Sequence, residues 1–221
     1  MIELVQLPYS PFCIVTRRLL EYAGARFKLT NITAGSDRER IWRLTRQRYY
    51  QVPVLRDGRM VVFETNEDSQ VIAKYLDTKF SLGLFPREWA GVQQVLWYYF
   101  EHEVEAVAFK LSNAHYREWL PAAEWLPFIR YKERRFGAGC LDRWREQQPQ
   151  LLAELAYKLA PTEQMLLGKP FLLGPQPRFA DFNLYGMLGC YLYGGCTELP
   201  AASPLLRDWY ARMTGLKFQG P

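Results

Sequence analysis

Histidine and cysteine are the scarce residues, two of the first and four of the second in a chain of 221. Cys13, Cys140, Cys190 and Cys196 are too few and too scattered for a disulfide framework. With His102 and His115 they fit no zinc pattern of paired Cys or Cys/His ligands, so no metal is expected. Cys190 and Cys196 are the one near pair, but six positions of helix rise about 9 Å, beyond a disulfide, unless Gly194-Gly195 breaks the helix. A reducing, cytoplasmic setting is the simpler expectation. Long apolar runs are missing too. The longest uncharged stretch, residues 182–197, falls short of the roughly 20 residues of a bilayer span and contains glycines and an asparagine, so it reads as a buried helix. The first residues carry an acid in place of a basic leader region, which makes secretion an unexpected fate. No internal repeat and no low-complexity tract is visible.

What is present suits a globular protein. Hydrophobic residues make up 49% of the chain, enough to fill a sizeable core. The net charge of +5 raises the question of nucleic acid or anionic lipid, and the densest basic patch is "DRERIWRLTRQR" at 37–48. On a helix, Ile41, Leu44 and Thr45 form an inward stripe while most of the arginines point to solvent, with Ser36 or Asp37 as cap. No nucleic-acid-binding motif accompanies the patch, so neither a nucleic-acid nor a membrane partner is expected. A small anionic ligand would suit it.

The first eighty residues alternate strand and helix signals. Residues 2–7 read as a strand, 12–22 as a helix closed by Gly24, and 26–32 as a second strand. "VPVLRDGRMVVFE" gives two short strands around Asp57-Gly58, a hairpin dipeptide. Val71, Ile72, Tyr75 and Leu76 mark a further helix face. The expected order is βαβαββα over residues 1–79, then a connector at 80–89 rich in turn residues. From 90 to 221 only helical periodicity remains. Val92, Val95, Leu96, Tyr99, Ala106 and Val107 are expected to form the inward stripe of a long helix. Leu141, Trp144, Leu151, Leu152, Leu155 and Leu159 mark a later helical stretch interrupted near Pro149. "SPLLRDWYARM" is a final amphipathic helix, and the tail "FQGP" is set aside as a possible expression scar.

The stretch "LPYSPFCIVTRRLL" at 7–20 raises the chemical question. Ser10 precedes Pro11, a residue suited to the first position of a helix, so Ser10 sits where a helix cap sits. In one reading it only caps the helix. In another the helix start, with its unpaired N–H groups and partial positive charge, receives an anion that the hydroxyl can bond. Ser10 and Cys13 also match a redox Cys-x-x-Cys pattern in which serine replaces the first cysteine. His102 has no second histidine one turn away, and His115 is isolated, so both are read as ordinary side chains.

Four motifs in this order resemble the cytosolic glutathione transferases. They are Ser10-Pro11-Phe12-Cys13, Val52-Pro53-Val54-Leu55, Asp68-Ser69 ahead of Ile72 and Tyr75-Leu76, and Arg178-Phe179-Ala180-Asp181. The resemblance spans essentially the whole chain. It implies a thioredoxin-like glutathione-binding domain at 1–79, a linker at 80–89 and an all-helical domain at 90–221 with the second-substrate pocket. It implies a cytoplasmic enzyme, a homodimer, that takes glutathione as co-substrate and joins its thiol to a small electrophilic or apolar molecule. Glutathione's thiol has a free pKa of about 8.5 and only the thiolate attacks, so the site must favour the anion.

The residues implied are Ser10 as the thiol-activating hydroxyl, with Tyr9 as second and Cys13 as third candidate for catalysis. Ser10, Phe12, Gln51, Val52, Pro53, Asp68 and Ser69 are the implied glutathione-binding set. Val52, ahead of a cis proline, would pair with the peptide backbone, and Asp68-Ser69 would take the γ-glutamyl end. Gln51 stands where relatives often carry a basic residue for the glycine carboxylate, which leaves Arg48 or another arginine for that contact. Arg178 replaces the usual hydroxyl of a capping box, so a weak cap is expected there. Trp97, Tyr98, Tyr116, Trp119 and Trp125 are candidates for the apolar pocket, the core or a dimer contact. Alternatives are thiol transfer or peroxide reduction through Cys13, and a non-catalytic binding module of the same fold.

Overall fold

The computed structural model describes residues 1–33, 38–65 and 67–218; Ser36 and Asp37, the expected cap of the arginine-rich helix, lie outside them. The elements run β1 (Ile2–Gln6), α1 (Pro11–Tyr22), β2 (Phe27–Asn31), α2 (Arg38–Leu44), β3 (Val54–Asp57), β4 (Met60–Phe63) and α3 (Val71–Phe80). The sheet order is β2-β1-β3-β4, with β1 parallel to β2 and antiparallel to β3. This is the thioredoxin-like topology. Every residue of β1 is buried, as an interior strand covered on both faces requires. Its one acid, Glu3, lies 2.6 Å from Arg56 and 3.3 Å from Arg40, and the Thr30 hydroxyl donates to it at 2.6 Å. The Thr30 bond, then the two guanidiniums against the opposing effect of burial, hold its carboxyl below the usual range. β3 and β4 pair from Val54 with Phe63 to Asp57 with Met60, and Gly58 supplies the φ of 60° that closes the hairpin.

Beyond Phe80 every regular element among the described residues is helical. Ser81, in the left-handed region, ends α3, and Leu82 and Leu84 of the connector are buried. There follow α4 (Ala90–Tyr99), a π-helical segment (Phe100–Val104), α5 (Glu105–Ala114), α6 (Tyr116–Trp119) and α7 (Ala122–Phe136). The chain closes with α8 (Cys140–Glu146), α9 (Gln148–Met165), α10 (Phe179–Tyr191) and α11 (Pro204–Gly215). The break before Pro149 is present, between α8 and α9. Leu141, Trp144, Leu151, Leu155 and Leu159 are buried, but Leu152 is exposed.

The expected stripe on α4 is out of phase. Val92 and Val95 face solvent, whereas Gln93, Phe100 and Val104 are buried; Val107, further on, is buried as expected. A polar residue can hold the inward position because both ends of its amide are bonded. Gln93 donates to the Leu84 carbonyl at 3.0 Å and accepts from the Ala180 N–H at 3.1 Å.

The cap of α10 is stronger than its sequence suggests. Asp181 is fully buried and accepts from the N–H groups of Arg178 and Leu172 and from the indole of Trp209, each at 2.9 Å. Burial pushes its carboxyl up to about 6, against the pull of those donors. One carboxyl therefore joins the start of α10, the preceding loop and α11. Phe218, part of the tail set aside above, packs its ring on Tyr22 and donates its N–H to the Tyr22 carbonyl at 2.8 Å.

α10 is buried along nearly all its length, as its composition predicts, and it packs on α1. Glycine allows the approach. A Cβ on Gly186 would run into Val15 and come within 2.6 Å of the Pro11 carbonyl oxygen, and one on Gly189 would lie 3.0 Å from Ile14. Arg18, buried on α1, donates to the Met213 carbonyl at 2.6 Å and to that of Leu216, which ties α1 to the end of the chain. Gly186→Ala is expected to lower stability by about 1–3 kcal/mol through overpacking, despite the helix propensity it gains. Gly91→Ala in α4, where a Cβ meets nothing within 4 Å, is expected to stabilise by up to about 1 kcal/mol. Urea midpoints of the two variants check this contrast.

Candidate active site

The end of β1, the first turn of α1 and the Val52-Pro53 corner meet the helical half across one cavity of about 180 Å³. On one side are Tyr9, Ser10, Phe12, Gln51 and Val52, with Arg38 and Tyr50 beside them. The opposite side is built by two helices. α5 contributes Glu105, Phe109 and Asn113, and α7 contributes Phe128, Tyr131, Lys132 and Arg135.

Ser10 is the N-cap of α1 in extended backbone conformation; its hydroxyl makes no cap bond to the helix backbone and hydrogen-bonds the Cys13 thiol. The helical ladder begins at Ile14, whose N–H donates to the Ser10 carbonyl at 2.9 Å. The N–H groups of Phe12 and Cys13 precede that ladder, and Pro11 has none to lose. The Ser10 hydroxyl, the Phe12 end of the first turn and the positive end of the helix dipole thus lie at the cavity's edge, a combination that favours an anion. The Val52-Pro53 peptide is cis. Pro53 is buried behind Val52 and Gln51, which line the cavity.

Tyr9 is set among rings, 4.8 Å from Trp119 and 6.0 Å from Tyr193 between centroids. Burial, with Glu124 nearby, raises its phenol above the ordinary range. Cys13 is wholly buried beneath Ser10. Burial pushes its thiol up to about 12, against lesser opposing hydrogen bonds from Ser10 and Leu7. Cys190 lines the cavity but is also buried and pushed up to about 12, for the same first reason.

Asp68 and Ser69 are not among the residues lining the cavity. The Ser69 hydroxyl lies 2.7 Å from both carboxylate oxygens of Glu101 and accepts from the Trp97 indole at 2.7 Å. Asn183 of α10 donates to the same Glu101 at 2.7 Å. Burial raises the Glu101 carboxyl, and these three donors pull it back. Asp68 accepts from the Gln70 N–H at 2.7 Å and pairs with Lys74 at 2.8 Å. The first N–H groups of α3 go to Glu64, which accepts from Val71 at 2.8 Å and Ile72 at 3.3 Å. Burial pushes the Glu64 carboxyl up to about 8.

Of the aromatic candidates, Trp97, Tyr116, Trp119 and Trp125 pack in or against the core and Tyr98 is exposed. Trp97, Tyr98, Tyr116, Trp119 and Trp125 do not line the cavity, whose rings come from Tyr9, Phe12, Tyr50, Phe109, Phe128 and Tyr131. Trp97 serves Ser69, and Trp119 backs Tyr9. Arg48 lies over the Phe63 ring at 5.3 Å, and Arg38 is the arginine beside Val52 in the cavity lining. Phe128, Tyr131, Lys132 and Arg135 were not singled out in the sequence, although their i, i+3, i+4, i+7 spacing marks one face of α7. His102 stacks on Tyr98 and His115 contacts Glu118. Among the described residues no group of three or more potential ligands is placed to hold a metal, and no helix is long and apolar enough to cross a membrane.

Residues 4–83 match the family model of the glutathione S-transferase N-terminal domain. That match covers the sheet apart from the first two residues of β1, α1 to α3 and every glutathione-binding candidate named above. No curated protein matches the chain by sequence. Among solved structures, a glutathione transferase from Phanerochaete chrysosporium superposes with a TM-score of 0.80, at 19% identity over 100% of this chain and 98% of its own. A glutathione S-transferase of Ceriporiopsis subvermispora in complex with glutathione gives 0.77 at 18% identity, over 96% of this chain and 94% of that one. Glutaredoxin 2 of Salmonella typhimurium in complex with glutathione gives 0.72 at 18%, over 99% and 96%. The glutathione transferase fold therefore extends over both halves of the chain.

Cys196 is exposed, whereas Cys13, Cys140 and Cys190 are buried and free. A disulfide reagent at mildly alkaline pH is expected to modify one thiol quickly in the native protein and the other three only on unfolding. Cys196→Ser should abolish the fast phase. A second fast thiol that vanishes in Cys13→Ser would show that Cys13 is accessible.

Proposed function

We propose that the protein is a glutathione transferase that activates the thiol of glutathione at Ser10 and joins it to a small electrophile held between α5 and α7. The observation that carries this reading is the Ser10 hydroxyl, which makes no cap bond to the helix backbone, at the edge of a cavity that Val52 also lines. In this reading the thiolate accepts a hydrogen bond from Ser10 and faces the N-terminus of α1. Its lowered pKa leaves more of it ionised at neutral pH. Val52 and Gln51 hold the peptide backbone as a short added strand, and Arg38 is placed for the glycine carboxylate. Asp68 and Ser69 take the γ-glutamyl end. The acids Asp68, Glu64 and Glu101 around Ser69 suit its ammonium, and Ser69 can donate to its carboxylate only as Glu101 gives up that bond.

In the reaction the thiol first releases its proton to solvent. The sulfur then attacks the electrophilic carbon, a C–S bond forms, and the leaving group departs with the bonding pair. Positioning and thiolate stabilisation supply the rate. Thiol transfer through Cys13 is less favoured, since its sulfur has no exposed surface. A reducing cytoplasm is the proposed setting, in keeping with four free thiols.

Ser10→Ala is expected to lower kcat/KM for conjugation of glutathione to a chloronitrobenzene by about 10–100-fold, the range for losing a hydrogen bond to a charged group. Calorimetric glutathione binding should remain, and Tyr9→Phe should stay close to wild type. Full activity in Ser10→Ala would move the role to Tyr9, and no glutathione binding in the wild type would leave a module of this fold without the enzyme.

The proposal includes a homodimer. Its support is an apolar strip on α4, where Val92, Val95 and Tyr98 are 43%, 68% and 58% exposed at helical spacing. Light scattering is expected to give twice the 26.0 kDa chain mass for the wild type and the single mass for Val95→Glu. A wild-type protein that is monomeric at micromolar concentration would reject it.

A further inference from the structure

The helical wall of the cavity carries more positive charge than the binding of glutathione uses. Lys132 reaches in from α7 between two rings, its ammonium 5.0 Å from the Phe109 centroid and 5.1 Å from that of Phe128. Arg135, one turn on, lines the same wall, and Arg38 faces it with its guanidinium 5.0 Å over the Tyr131 ring. Among the described residues none of the three forms a salt bridge. The lining has a single acid, Glu105, which stays beyond ion-pairing distance of Lys132, and burial pushes its carboxyl up to about 7. Burial pulls the Lys132 ammonium down, against smaller opposing effects of Cys190, Tyr131 and Glu105. Burial would raise the Tyr131 phenol, but the hydrogen bond from Arg135, with Lys132 and Arg38 nearby, holds it below the ordinary range. A partly desolvated cation with rings on both sides and no counter-ion is costly, and an incoming anion relieves that cost.

We propose that the second substrate is an aromatic or otherwise flat apolar anion, a carboxylate or sulfonate, whose charge is held by Lys132 and Arg135 while its ring lies against Phe109 and Phe128. This rests on the reading of the cavity as the place where glutathione meets its acceptor. With Arg38 assigned to the glycine carboxylate, Lys132 and Arg135 are the cations left for the acceptor. The cavity then prefers acceptors that carry their own charge remote from the reacting carbon. That charge orients the ring and leaves the electrophilic carbon facing Ser10.

A matched pair of fluorescent probes tests this without glutathione: anilinonaphthalene sulfonate and the neutral phenylnaphthylamine, which lacks the sulfonate. The sulfonate is expected to bind at least about tenfold more tightly. Lys132→Met should erase that preference and leave the neutral probe unchanged, Lys132→Arg should retain it, and Arg135→Gln should reduce it. Equal affinities in the wild type, or a preference that survives Lys132→Met, would overturn the proposal. Should Lys132→Met misfold by circular dichroism, Arg135→Gln decides in the same way. A separate calorimetric titration with glutathione reports on the enzymatic reading, so a protein that binds the sulfonate but not glutathione keeps the anion site and loses the transferase.

Discussion

The contact between α1 and α10 sets the position of everything the site uses. α1 presents Ser10 at its first turn, and Gly186 of α10 lies so close that a methyl group there would meet the carbonyl of Pro11, the next residue. The pressing of backbone on backbone fixes how far the mouth of α1 stands from the helical wall. It also explains why so much of the chain's polar bonding converges on α10. Asp181 anchors its start to α11, Gln93 ties that start to α4, and Asn183 reaches Glu101. A helix that is apolar all round has no solvent face to set its rotation. These few bonded polar groups specify it instead, since each would be left unpaired by a turn of the helix.

The same economy governs the start of α3. Its orphan N–H groups are satisfied by Glu64, a buried side chain from the far end of β4, and not by a cap residue next to the helix. Ser69, the nearest hydroxyl, is thereby left to bridge Trp97 and Glu101. The result is three acids around one helix start, two of them with raised carboxyls. The positive end of the helix dipole and the donors from Asn183 and Trp97 make that crowding tolerable. A ligand ammonium would ease it further. The π-helical segment carries Glu101 at its second position and hands over to Glu105 at the start of α5, so an irregular stretch of backbone separates an acid turned toward α3 from one that lines the cavity.

Much of this was legible in the residues. Alternation, the Asp-Gly hairpin and Gly24 marked the β-rich half because each depends on local backbone preference. Ser10, Pro11 and Val52-Pro53 stood out because proline fixes its neighbourhood whatever the tertiary context. The failures have a common cause. Val92 and Val95 look like core residues and are not, because Gln93 takes the inward place through two hydrogen bonds to residues 9 and 87 positions away. Arg178 looks like a missing cap, but the bonds of Asp181 to Leu172 and Trp209 lie outside its own helix. Lys132 and Arg135 drew no notice, since nothing local shows that α7 faces α5 and the end of β1 across a cavity. Periodicity reports which face is apolar, and it cannot report which polar groups will find partners.

That distinction bears on how the cavity divides its labour. Its thioredoxin-like wall offers backbone groups, a hydroxyl and a helix start, all of which suit a peptide-like anion by geometry. Its helical wall offers long side chains on two helices, a cation framed by rings and one acid whose ionisation lies near neutrality. Backbone groups change little when side chains are substituted, so the first wall is constrained by the fold itself. The second wall is constrained only by packing around Phe109 and Phe128, and a change at positions 105, 132 or 135 alters its charge without disturbing α1. On the proposed function, specificity for the acceptor resides in α5 and α7 while the thiol site stays fixed.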